Sequence, residues 1–102
     1  MATMYTLGLW RPSPTREAEF VIAWQALGEV FRQLASPPVG TGLLLQSVSD
    51  PGLYCSFGPW ESEADIQQMR GDPAAQAAIQ RLRELCDEAT PGAFRVVAEA
   101  PV

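Results

Sequence analysis

Asp50-Pro51-Gly52-Leu53-Tyr54-Cys55-Ser56-Phe57-Gly58-Pro59-Trp60-Glu61-Ser62-Glu63 is the stretch whose local signals organise the rest of the chain. Asp50-Pro51-Gly52 is a turn signal, because proline presets φ and glycine accepts turn conformations closed to other residues. It stands between residues 41–49 (TGLLLQSVS) and residues 53–58 (LYCSFG), two apolar runs, so a β-hairpin is predicted here. After Trp60 the character changes. Ser62 followed by Asp65 is a short-armed capping box, since Asp reaches back less well than Glu. A helix is therefore predicted from this point, with Ile66 and Met69 as its apolar pair.

Downstream, Gly71-Asp72-Pro73 interrupts that helix and restarts it, with Asp72 as cap and Pro73 at the first helical position. Ala75, Ala78, Ile79, Leu82, Leu85 and Cys86 then share one face. This helix is predicted to run to about residue 89, where Pro91-Gly92 ends it. Residues 93–99 (AFRVVAE) predict a last strand. Upstream, residues 4–10 (MYTLGLW) predict a first strand stopped by Arg11-Pro12-Ser13-Pro14. Ser13 or Thr15 can cap the helix predicted next. Over residues 15–35, Phe20, Trp24, Leu27, Phe31 and Leu34 step by four, three, four and three. That spacing makes one apolar face, with Ala23 and Val30 beside it, and Ser36-Pro37-Pro38 ends the helix.

The predicted order is strand, helix, strand, strand, helix, strand. The two halves echo each other, since each opens with a strand ending in a tryptophan, and Trp10 and Trp60 lie 50 residues apart. This is the split βαβ order of an α+β, ferredoxin-like fold with a four-stranded antiparallel sheet. A chain of 102 residues fits a single such domain over 1–102.

The strands do not alternate cleanly. Leu43 and Leu45 point one way, and Leu44 and Val48 the other. Leu53, Cys55 and Phe57 oppose Tyr54, and Val96 opposes Val97. Two helices cover only one face of a four-stranded sheet, so the second apolar face predicts a homodimer joined through the sheets.

Composition excludes much chemistry. The chain has no His, no Lys and no Asn, and all seven basic residues are Arg. No imidazole base, His-ligated metal, Schiff base or P-loop lysine can be built from it. A net charge of −5 with scattered arginines argues against a nucleic-acid partner. No apolar run approaches the length of a membrane span and no secretory signal opens the chain, which predicts a cytoplasmic protein with no membrane partner. Cys55 and Cys86 read as reduced small hydrophobes, the first in a strand and the second on a helix. Glu61 and Glu63 suit the start of the second helix as solvated groups.

Trp24-Gln25-Ala26-Leu27, Asp50-Pro51-Gly52-Leu53-Tyr54 and Phe57-Gly58-Pro59-Trp60-Glu61-Ser62-Glu63, with Asp72-Pro73-Ala74-Ala75-Gln76, are similar to the antibiotic biosynthesis monooxygenase family. The junction from strand to Trp-Glu-Ser is the most specific piece, and the resemblance covers nearly the whole chain in element order. It implies a dimeric α+β barrel with a pocket between sheet and helices in each subunit. It also implies oxidation of planar polyphenols by dioxygen with no cofactor, neither metal nor flavin. The family's pocket tryptophan maps onto Trp60, and Ser56 stands where the polyphenol oxygenases carry Asn. The haem-degrading branch needs a first-strand Asn and a second-helix His, which this chain lacks.

The candidate substrate-binding residues rest on both readings. Trp60, Trp24, Phe20 and Met69 are apolar surfaces for a small planar or aromatic ligand, or core. Tyr54, Gln46 and Ser56 are polar groups on apolar strands, whose partner is backbone, a dimer mate or the ligand. Arg95 either pairs with a carboxylate or steers an anionic substrate. No residue is singled out as catalytic. The rival to a monooxygenase is a non-catalytic ligand-binding or accessory dimer of the same fold, which the missing Asn and His favour.

Overall fold

The computed structural model of the chain describes residues 3–101. Its elements are β1 (Met4–Pro12), α1 (Glu17–Arg32), β2 (Leu43–Gln46), β3 (Tyr54–Trp60), α2 (Glu63–Gly71), α3 (Pro73–Glu84) and β4 (Cys86–Arg95). The four strands form one antiparallel sheet in the order β2-β3-β1-β4. The α+β, ferredoxin-like order predicted from the sequence is thus the order found.

Local signals act as expected at most junctions. The Asp50-Pro51-Gly52 turn is closed by Leu53 N–H donating to the Asp50 carbonyl at 2.9 Å. Arg11, reaching over from β1, donates twice to the Asp50 carboxylate, at 2.9 and 3.2 Å. That guanidinium holds the Asp50 carboxyl below its usual range. Ser62 caps α2 by accepting from Asp65 N–H, and Asp72 caps α3 by accepting from Ala75 N–H. The start of α1 differs: its cap position is Arg16, and no side chain caps it. Ser13 donates instead to the Asp87 carboxylate at 2.7 Å.

Four boundaries differ from the sequence reading, and pairing within the sheet accounts for the shifts at β1, α3 and the start of β4. β1 does not stop at Arg11 but runs through Pro12, whose register slips against Cys86. Proline at a strand end beside a bulge removes no interior ladder bond. α3 ends at Glu84 rather than near residue 89, and Cys86 opens β4 instead of sitting on a helix. The apolar spacing of Leu82, Leu85 and Cys86 fits both states, and pairing with β1 decides for strand. β4 then passes through Pro91 and Gly92, the pair expected to end a helix, and stops at Arg95 rather than near residue 99. It is an edge strand, where a residue without an N–H costs least.

The register sorts every side chain to a face. On the face towards the helices, Gln46, Tyr54, Trp10 and Ala89 form one cross-strand row. Leu44, Ser56, Gly8 and Pro91 form the next, then Gly58, Thr6 and Ala93, then Trp60 beside Met4. Large residues occupy the ends of this face and small ones the middle. Phe20 and Leu27 of α1, Ile66 and Met69 of α2, and Ala75 and Leu82 of α3 are buried against it.

The opposite face carries Leu45, Cys55 and Leu9 in one row, Leu43, Phe57 and Leu7 in the next, and Pro59, Tyr5 and Phe94 in a third. Leu9, Leu43, Leu45 and Phe94 are each between 43% and 53% exposed. The second apolar face inferred from side-chain parity is therefore present and uncovered in the single chain. Both cysteines are free thiols. Among the described residues no helix is long and apolar enough to cross a membrane.

Candidate functional site

Between the small middle of the sheet and the helices lies an open cleft of about 980 Å³. It exists because Gly58, Ser56 and Thr6 put little bulk above the strands, while the space over Gly8 is taken by the Trp10 indole. α1 spans that middle with Trp24, Leu27, Gly28 and Phe31 lining the cleft. Gly28 meets nothing within 4 Å of where its Cβ would sit. A glycine inside a helix costs about 1 kcal/mol against alanine, and here it keeps space open.

The floor is polar in a specific way. Trp10 Nε1 donates to Ser56 Oγ at 2.9 Å, and Trp60 Nε1 donates to Thr6 Oγ1 at 3.0 Å. Each indole reaches diagonally across the β1–β3 ladder to a hydroxyl on the other strand. A hydroxyl that has accepted one hydrogen bond still carries its own proton to give. Among the described residues neither hydroxyl donates to a protein acceptor. The cleft floor thus presents two O–H donors, each oriented by a buried indole.

The two tryptophans are themselves held by aromatic neighbours. Trp60 is fully buried, with the Phe31 ring edge-on at 5.3 Å. Trp10 tilts against Phe20 at 5.9 Å, and Phe20 against Tyr54 at 5.5 Å. Such pairs add about 0.5–1.5 kcal/mol each beyond area burial.

Of the candidate binding residues, Trp24, Ser56, Trp60 and Met69 line the cleft together. Phe20, Tyr54 and Gln46 do not line it. Phe20 is fully buried in the core beside the cleft. Tyr54 and Gln46 both lie on the helix face of the sheet, where the Gln46 amide donates to the Tyr54 hydroxyl at 3.3 Å and to the Pro51 carbonyl at 2.9 Å. Their polar atoms therefore pin the hairpin. Arg95 sits 3.5 Å from Glu63, an exposed pair.

Burial also shifts two titratable groups, neither of which lines the cleft. It raises the Tyr54 phenol above its ordinary value, with the Glu17 charge adding to the shift. Burial, then the neighbouring Asp87, pushes the Cys86 thiol up to about 11. Both groups stay protonated at neutral pH and cannot take a proton there. Among the described residues no three acidic or thiol side chains converge to hold a metal ion.

Thr6, Trp10, Phe31 and the polar rim of Gln76, Arg70 and Arg83 also line the cleft, although sequence reasoning does not single them out as ligand groups. A signal for the first two is present. Thr6-Leu7-Gly8-Leu9-Trp10 and Ser56-Phe57-Gly58-Pro59-Trp60 are one pattern, hydroxyl-x-Gly-x-Trp, repeated. The paired tryptophans stand out in the sequence, whereas the hydroxyl and glycine spaced with them gain meaning only from the sheet.

No family model matches the chain, and no curated protein matches it by sequence. Solved structures do. SnoaB, a cofactor-independent oxygenase from Streptomyces nogalater, superposes with a TM-score of 0.80 at 16% identity, covering 100% of both chains. A candidate antibiotic biosynthesis monooxygenase from Deinococcus radiodurans gives 0.80 at 16% identity, covering 97% of both. A conserved protein from Methanosarcina mazei Go1 gives 0.79 at 17% identity, covering 93% of both. Over essentially its whole length, the chain has the fold of the antibiotic biosynthesis monooxygenase structures.

Proposed function

We propose that the chain binds a planar, oxygenated aromatic molecule in the cleft and oxidises it with dioxygen, as a cofactor-independent monooxygenase. The carrying observation is the pair of indole-oriented hydroxyls, Ser56 and Thr6, on the floor of a cleft lined by the half-buried Trp24 and Phe31 and by the buried Trp60 and Met69. Flat aromatic surfaces take a flat ring, and two O–H donors take its oxygens.

The reaction this suits is oxidation of an activated methylene to a carbonyl. The substrate, as an enolate or phenolate, gives one electron to dioxygen, and the two radicals combine as a peroxide. The peroxide then loses water, so that one oxygen atom enters the product and the other leaves as water. The chain's part is positioning, exclusion of water and hydrogen bonds to the anion from Ser56 and Thr6. Neither Tyr54 nor Cys86 lines the cleft, whereas the Glu29 carboxylate does, so the proton released as the anion forms passes to Glu29 or to solvent.

The working unit in this reading is a homodimer closed through the apolar outer face around Leu9, Leu43, Leu45 and Phe94. Light scattering at micromolar concentration should give twice the chain mass, and a monomer would reject that part. The absence of any imidazole or lysine base favours a second reading, a non-catalytic binding dimer. Two measurements separate them. Tryptophan quenching by a panel of anthrones, phenols and quinones should saturate for one class and be lost in Trp60→Phe. Oxygen uptake with that class should then show turnover. Saturable binding without uptake selects the second reading, and no saturable binding rejects the aromatic cleft.

A further inference from the structure

We infer that Gly28 sets the size of ligand the cleft admits, keeping it one undivided space for a fused, several-ring aromatic; this deepens the aromatic-ligand reading above and rests on it. A glycine in a helix ordinarily ends it, takes a left-handed φ or lets another segment come close. None of these applies at Gly28. It stands inside α1, which continues to Arg32. Among the described residues no glycine has a positive φ. A Cβ at Gly28 would meet nothing within 4 Å, so no neighbour requires its absence. Gly71 also meets nothing, but it is the last residue of α2, where the helix ends anyway. Gly28 therefore weakens α1 with no return from contacts inside the chain.

Its position supplies the return. Trp24, Gly28 and Phe31 are spaced by four and three, so they share one face of α1, and all three line the cleft. Trp24 stands on the β2 side, its ring 3.9 Å from where a Cβ on Gly42 would sit. Phe31 stands over Trp60, with ring centres 5.3 Å apart. Along the helix axis the two aromatics are about 10 Å apart, with Gly28 between them.

A side chain at position 28 would lean back over the preceding turn, towards Trp24, and fill that gap. The cleft would then be split into a Trp24 half and a Phe31–Trp60 half. A small ring system can lie against one aromatic alone. Only a longer, fused one needs the undivided gap to touch both. The same glycine thus lowers helix stability and raises the size of ligand accepted, and substitution should move the two in opposite directions.

The test reads stability and binding on the same full-length variants, Gly28→Ala and Gly28→Leu. Alanine is the better helix former, so the thermal midpoint of Gly28→Ala should rise by about 4 °C. Tryptophan quenching is then titrated with two compounds that share an adjacent hydroxyl and carbonyl. One is 1,8-dihydroxyanthraquinone, with three fused rings, and the other is 8-hydroxy-1-tetralone, with two. Affinity for the three-ring compound should fall about threefold in Gly28→Ala and about thirtyfold in Gly28→Leu, while the two-ring compound stays within about twofold. Three-ring binding that survives in Gly28→Leu, or an equal loss for both compounds, overturns the size role of Gly28 and leaves the aromatic cleft standing. A midpoint that fails to rise in Gly28→Ala also overturns it, because the glycine would then serve the helix itself. Failure of both compounds to bind the unaltered chain overturns this role and the aromatic cleft together.

Discussion

At one end of the inner sheet face the Trp10 indole folds back over Gly8 so closely that a Cβ there would sit 2.6 Å from its Nε1. At the other end Trp60 makes the matching bond to Thr6, yet a Cβ on Gly58 would meet only the Gly42 Cα at 3.6 Å. The same hydroxyl-x-Gly-x-Trp pattern thus closes one end and leaves the other open. The difference comes from what packs on each tryptophan. Phe20 tilts against Trp10 and Tyr54 against Phe20, so the indole is backed by a cluster of core aromatics. Phe31 meets Trp60 only by its edge, and the space over Gly58 is left to the cleft. A repeated strand pattern sets the hydrogen bonds, and the helix above decides whether the result is core or site.

Four sets of substitutions would break or sharpen that contrast. The largest effect belongs to Trp60→Ala, which empties a fully buried indole and should cost about 3–5 kcal/mol by urea unfolding. A loss below about 1 kcal/mol would mean that Trp60 is not the wall described here. Next come the two glycines. Gly8→Ala must displace the Trp10 indole and should cost about 1–3 kcal/mol. Gly58→Ala should cost less than about 1 kcal/mol, because its new methyl enters open space. It should nevertheless weaken ligand quenching by narrowing the floor. Equal costs at the two glycines would erase the asymmetry.

Ser56→Ala and Thr6→Val each strip the acceptor from a buried indole N–H. Water in the open cleft can re-pair that group, so each should cost about 1–2 kcal/mol. The smallest effect is on acid tolerance, at the hairpin beyond the Trp10 end. The Asp50 carboxyl is held low by Arg11, so its contribution is complete at neutral pH and fades as the pH falls through the acid range. Asp50→Asn should leave the acid unfolding curve slightly flatter than that of the unaltered chain. An unchanged curve would show that the turn does not depend on this pair.

Much of the candidate site was legible residue by residue, but not as a site. Trp24, Ser56, Trp60 and Met69 could be picked from spacing and resemblance, and they do meet at the cleft. Phe20 shares the Trp24 stripe and so could not be told from it by spacing, yet one is sealed and the other lines the opening. Tyr54 and Gln46 looked like ligand groups because they are polar among apolar neighbours. Their partners, each other and the Pro51 carbonyl, become visible only when β2 lies on β3. Arg70 and Arg83 gave no signal at all, because nothing local in the sequence marks a charge that will stand at the rim of a cleft.

Sequence alone determined the element order, the Asp50-Pro51-Gly52 hairpin, the Ser62 and Asp72 caps, the buried stripe of α1 and the uncovered apolar face of the sheet. It also removed imidazole and lysine from any chemistry. These rest on periodicity, on capping geometry and on which residue types are present, all of which act within a few residues or not through structure at all. Only the tertiary structure decided that Cys86 and Pro91 belong to an edge strand, that Trp10 and Trp60 cross to opposite hydroxyls, and that a cleft stands over Gly58. Each of those depends on the register of β1 against β3 and β4. That register sets Trp10 beside Tyr54 and Met4 beside Arg95, pairs too distant along the chain for any local signal to join.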